Sequence, residues 1–157
     1  MTDFKIATGA EQPINTSAAL AGAKFEQGIP VGINSAGKMV PADADSASTI
    51  MAVGVAFGPV DDLADYSGMP DAVQSAVEAN RVLVDRDRIA AVKYGIELEN
   101  NDADSGFSPG EVVYLAPGGG FTQTRPTDAS GDLVQILGTA LTAERIAVHV
   151  VPSDVVA

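Results

Sequence analysis

Oxygen-bearing side chains at Asn100, Asp102, Asp104 and Glu111 stand at relative positions 1, 3, 5 and 12, a spacing with which a loop can wrap a divalent cation. Calcium or magnesium would be the ion, because both are hard and take oxygen ligands. Three features count against the reading. Position 6 is Ser105 where the sharp turn wants glycine, Pro109-Gly110 interrupts the tail, and the flanks read as strands instead of helices. An acidic, solvated loop is the plainer interpretation. No other cofactor is implied.

Elsewhere the signs of chemistry are thinner. His149 is the single histidine, in the run Ala147-Val148-His149-Val150-Val151, and no serine and aspartate accompany it in a recognisable triad. Gly118-Gly119-Gly120 would cradle a phosphate only if a helix followed, and Phe121-Thr122-Gln123-Thr124 is strand-like, so a hairpin turn is expected. Asp85-Arg86-Asp87-Arg88 alternates in sign; as a strand it would put both acids on one face and both arginines on the other. That suits cross-strand ion pairs or a subunit contact through Arg86 and Arg88. No nucleophile, base and orienting group can be named together, so an enzyme is not expected.

The elements that must carry these residues are short. Ile29, Val31 and Ile33 alternate with smaller residues, and Ser35-Ala36-Gly37-Lys38 is a turn before Met39-Val40. Further strands are read at 50–57, 82–84, 89–92, 96–99, 111–115, 121–124, 133–141 and 145–151. Met69, Val73 and Val77 recur at four-residue spacing behind Pro70-Asp71, which predicts one short helix at about 70–80 inside an insertion at about 58–80. Residues 1–24 are rich in Ala, Thr, Ser and Gly, with large apolar groups only at Phe4, Ile6, Ile14 and Leu20, and read as an N-terminal arm. Residues 25–157 then form one domain. The expected fold is mainly β: a compact antiparallel β-barrel or sandwich.

The domain repeats itself. Phe25-x-x-Gly28-x-x-Val31-x-Ile33 matches Phe107-x-x-Gly110-x-x-Val113-x-Leu115, each pair 82 positions apart, and Gly37 matches Gly119 at the same offset. Gly54-Val55-Ala56 matches Gly138-Thr139-Ala140 at an offset of 84. Two related β units are therefore expected, at about 25–93 and 107–151, with Val82-Leu83-Val84 closing the first and Ile146 to Val150 the second.

Composition narrows the partners. The chain has 157 residues and a net charge of −12, with 9 Lys+Arg against 21 Asp+Glu. It lacks the clustered cations that hold phosphates or anionic membranes, so neither nucleic acid nor membrane is expected. Cysteine is absent, which removes disulfides, thiol catalysis and thiolate metal sites. Only 5 Phe and 3 Tyr are aromatic, so Val, Ile, Leu and Ala must fill the core. Neither a membrane span nor a secretory leader is apparent, and a soluble protein that stays in the compartment where it is made is expected. Asp outnumbers Glu and lysine is scarce, a balance suited to a salt-loaded setting where charge repulsion is screened.

The unit in FSPGEVVYLAPGGGFTQTRPTDASGDLVQILGTALTAERIAVHV, residues 107–149, recurring more weakly in 25–57, resembles the decoration and head-fibre-base proteins of tailed viruses. The resemblance implies a non-enzymatic capsid decoration (cement) protein on the outer capsid surface of the virion, bound to the major capsid protein, often as a homotrimer. With the acidic composition it points to a tailed virus of a halophilic archaeon or bacterium. On this reading the apolar residues of the arm, Phe4, Ile6, Ile14 and Leu20, would order on the capsid or on a neighbouring subunit. The alternatives are another virion β module, such as a tail or spike-base component, and a non-viral cation- or carbohydrate-binding β module.

Overall fold

The segment expected as an arm instead supplies a strand to each of two sheets: β1 (Phe4–Thr8) and β2 (Thr16–Leu20). Alanine and threonine bury little surface alone, but they let strands approach closely, and Phe4 is left 2% exposed. The computed structural model describes residues 4–8, 16–100, 106–127, 131–151 and 155–156. In chain order there follow β3 (Pro30–Ile33), β4 (Met39–Pro41), β5 (Ala52–Ala56), β6 (Val60–Asp61), helix α1 (Asp71–Asn80), β7 (Val82–Leu83), β8 (Arg88–Val92) and β9 (Tyr94–Asn100). The second half adds β10 (Val112–Leu115), β11 (Phe121–Thr122), β12 (Leu133–Val134), β13 (Ile136–Ala140), β14 (Arg145–His149) and β15 (Val155–Val156). The fold is mainly β with one short α-helix, and its two large sheets are antiparallel.

One sheet has the order β2-β8-β5-β3-β4 and the other β1-β9-β14-β13-β10-β11. Leaving β1 aside, the two orders are the same. The echo in the sequence is thus a duplicated fold, and the match extends to individual residues. Pro30 pairs with Val55, Val31 with Gly54 and Gly32 with Ala52; 82 and 84 positions later Val112 pairs with Thr139, Val113 with Gly138 and Tyr114 with Ile136. Both pairings break register at the same step, so even the irregularity is copied. Gly28 and Gly110 both have positive φ, and their N–H groups donate to Ala56 and Ala140. A side chain at either would be strained.

Each unit holds one strand more than the motif shows, because β2 and β9 are its first strands; the units run over 16–92 and 94–149. The closing strand of the first unit also needs correcting. It is β8, whose Arg88-Ile89-Ala90 repeats Arg145-Ile146-Ala147 of β14, and not Val82-Leu83-Val84. β7 pairs in parallel with β6, an arrangement the long excursion through α1 makes possible.

Two cores result. Val31, Met39, Ile89 and Ala91 fill the curl of the first sheet, with Phe25 and Val60 beside them. Val113, Leu115, Leu98 and Ile146 fill the second, and this cluster also takes in Ala52, Val55 and Val92 from the first sheet, with Ala42 just past β4. Residues of both faces of the first sheet are therefore buried. Full burial of a Val, Leu or Ile is worth about 1.5–3 kcal/mol, which lets a core poor in aromatics suffice.

The helix forms where expected, with Pro70 at its N-cap and Asp71 in its first turn. Its expected apolar face is only partly used. Val77 is buried, while Met69 and Val73 are 51% and 40% exposed. The insertion is anchored instead at its two ends, by Val60 and by Leu83 of β7 just after it, which are 1% and 2% exposed. No helix of the described residues is long and apolar enough to cross a membrane.

Candidate functional site

The cation loop is only partly within the described residues, since Asp102 and Asp104 lie outside them. Asn100 ends β9 opposite Phe4, 3% exposed, and its backbone N–H donates to the Glu144 carbonyl at 2.6 Å. Glu111 is exposed at the start of β10. Among the described residues no three His, Asp or Glu side chains gather as a metal site would require.

The expected contact residues separate into two groups. Phe4 is buried, its ring 4.5 Å from that of Phe121 and 6.1 Å from that of Phe107. Ile6 packs on the same core, Leu20 is half-buried in β2, and Ile14 lies outside the described residues. Phe4 and Ile6 of the supposed arm thus serve the chain's own fold. Arg86 and Arg88 are exposed, but not as alternate positions of one strand. Asp85 has φ 60° and the Leu83 N–H donates to the Asp87 carboxylate at 3.2 Å, so 84–87 is a turn. Arg86 faces Glu78 at 4.0 Å.

His149 is exposed on β14 with its ring against Tyr94, centroids 6.1 Å apart. The Gly118–Gly120 run is a hairpin turn between β10 and β11, as expected, and the Gly118 N–H is already engaged by the Asp43 carboxylate.

A concave surface lies where the two units meet. A cleft of about 640 Å³ is walled by Phe4, Phe25, Ile29, Pro41, Pro59 and Phe121, with the Gly118–Gly120 turn along it. Lys24, Glu26 and Asp61 are its charged members. Lys24 hydrogen-bonds Asp65, and that bond with the neighbouring charge raises its pKa. Asp61 accepts from the Tyr66 hydroxyl at 3.1 Å and faces Arg81 at 3.3 Å. What this surface offers is an apolar trough whose lysine and aspartate already have partners within the chain.

Two polar side chains lock the units together. Asp43 accepts from the N–H groups of Asp45 at 2.8 Å and Gly118 at 2.7 Å, and from the Ser48 hydroxyl at 2.7 Å. Partial burial works against its charge, but these three donors outweigh it and hold the carboxyl below its ordinary range. Gln135, 1% exposed, binds the Ala52 backbone and also donates to the Val151 carbonyl at 3.1 Å. Beside these clamped groups Met51, Ile136 and Val151 stand exposed at 44%, 39% and 39%. The sequence reading missed this cluster, because an apolar residue at the end of a strand looks the same buried or exposed. Ile136 shows the difficulty: its counterpart in the first unit, Ala52, is buried.

No protein-family model and no curated protein matches the chain. Its site must therefore be judged on its geometry.

Proposed function

We propose that this chain is a structural, non-catalytic protein of a tailed virus, a decoration protein that binds the major capsid protein on the outside of the head and stabilises it. The observation carrying this reading is the duplication. The motif on which the resemblance rests is a real folding unit, present twice with the same register, and the two copies are joined by buried and half-buried side chains. A shell protein needs such joining, since it must keep its shape while the particle under it strains.

The acidic surface sets how it would adhere. In molar salt the screening length is about 3 Å, so charge attraction carries little over distance and apolar contact carries more. Met51, Ile136 and Val151, exposed around the Gln135 clamp, supply that contact. Many copies on one lattice would hold by avidity even if each bound weakly, and a homotrimer multiplies the effect. The acidic composition supports a salt-loaded habitat and, with the resemblance, a halophilic archaeon or bacterium as host; on this reading assembly in the host cytoplasm precedes display on the virion.

The reading is tested by particles assembled with and without the protein. Particles lacking it are expected to release their genome at a lower temperature or on milder dilution of salt. Equal survival of the two kinds would overturn it.

A further inference from the structure

The cleft between the units has two unlike walls. One is main chain: Gly118, Gly119, Gly120 and Phe121 line it in succession, the glycines at φ 83°, 91° and 82°. Nothing lies within 4 Å of a Cβ built on Gly118 or Gly120, so bare backbone borders open space there. Phe121 adds unpaired polar groups. It stands opposite Leu115 in β11, the edge strand, while the Leu115 N–H donates at 2.9 Å to the Gln135 carbonyl on the other side of β10. The N–H and carbonyl of Phe121 therefore have no partner in β10 and point off the edge of the sheet. Phe25, Pro41 and Pro59 belong to the other wall, which is apolar, and proline has no N–H to offer.

The rim is acidic. Lys24 is hydrogen-bonded to Asp65, with Asp61 and Asp62 adding to the negative field around it, and Arg81 faces Asp61. Glu26 also lines the cleft; it is exposed and makes no ion pair or hydrogen bond among the described residues. Both cations are thus answered within the chain, and one carboxylate is left over.

We infer that this cleft binds an extended peptide segment of another protein, one that carries apolar side chains around an arginine or lysine. Such a segment brings backbone donors and acceptors to Phe121 and the glycine wall, apolar side chains to the trough, and a cation to Glu26. The chain's own segments outside the described residues do not fit, because 1–3, 9–15, 101–105, 128–130, 152–154 and 157 contain no Lys or Arg. A second copy is a poor occupant too, since each carries a net charge of −12. The inference rests on the cleft alone and holds whether or not a capsid protein is the partner.

A displayed library of random heptapeptides tests it, selected on the folded full-length chain at the lowest salt that keeps its circular dichroism intact. The selected peptides are expected to combine a basic residue with apolar neighbours. Glu26→Lys should weaken their binding at least fivefold, and less in molar salt. Pro59→Trp, which fills the trough from an exposed position, should weaken it at least tenfold. Glu111→Lys makes the same charge change at an exposed site outside the cleft and should leave affinity within twofold. Equal weakening by Glu26→Lys and Glu111→Lys would overturn the inference, since it reports only general attraction to an acidic protein. Failure to select any peptide, selected peptides without a basic residue, or binding indifferent to Pro59→Trp would overturn it as well. Circular dichroism of each variant confirms that folded protein was compared.

Discussion

The side-chain amide of Gln135 accepts from the Ala52 N–H and donates to the Ala52 carbonyl, both at 2.8 Å, across 83 positions of sequence. A side chain here takes the place of a neighbouring strand, satisfying both backbone groups of one residue where β5 would otherwise end unpaired. It also ties the first unit to the second. Both partners are buried, at 1% and 3% exposure, so water is poorly placed to replace the bonds.

Gln135→Ala should therefore be among the most damaging single changes. It leaves a buried N–H and a buried carbonyl without partners, each costing about 1–3 kcal/mol, so a loss of about 3 kcal/mol is expected. Gln135→Glu should also destabilise, since a carboxylate cannot donate to the Ala52 or Val151 carbonyls. Denaturant unfolding at fixed salt measures both; a loss below about 0.5 kcal/mol for Gln135→Ala would contradict the clamp.

Strand approach at the repeated glycines gives a graded series. A Cβ at Gly138 would sit 2.1 Å from the Ala147 carbonyl oxygen, and one at Gly54 would sit 2.8 Å from that of Val92. Nothing lies within 4 Å of a Cβ at Gly68. Gly138→Ala should cost about 3 kcal/mol, Gly54→Ala about 1–2 kcal/mol, and Gly68→Ala under about 0.5 kcal/mol. Thermal unfolding of the three variants would show the ranking, and a damaging Gly68→Ala or a neutral Gly138→Ala would break it.

Asp43 makes stability depend on acid. Its pKa in the fold lies below the ordinary 3.8, because three donors stabilise the charged form against the cost of burial. Its contribution is thus fully present above the unfolded value and is lost as pH falls through the folded one. Asp43→Asn should be less stable than the parent near neutral pH, and the gap should narrow toward pH 3. Melting curves at constant salt test this; a gap that stays the same from pH 6 to pH 3 would refute it.

The exposed apolar cluster separates adhesion from folding. Ile136→Asp changes a residue already 39% exposed, so melting should shift little, whereas binding to capsids should fall at least tenfold on the proposed reading. Unchanged binding would remove this face from the contact.

Much of the fold was legible because its glycines and apolar residues repeat. Gly28 and Gly110 mark turns that only a positive φ allows, and Val31 and Val113 mark core positions in register. The N-terminal strands were not legible, since Thr16 to Leu20 has no apolar alternation and gains its place only from pairing with β8. The role of Phe4 escaped for the same reason, its partners Phe107 and Phe121 being more than 100 residues distant. Val82-Leu83-Val84 misled because a buried parallel pair and a closing antiparallel strand have the same composition. Of the site, the hairpin role of Gly118–Gly120 was readable, but the partners of Gln135 and Asp43 were not, because a lone Gln or Asp does not announce which distant backbone it will meet.

The most direct measurement adds purified protein to virus shells that lack it, in molar salt, and images them. The account predicts hundreds of copies at symmetry-related positions on the outer face of the head. A bare head, or protein confined to the tail or a single vertex, would contradict it.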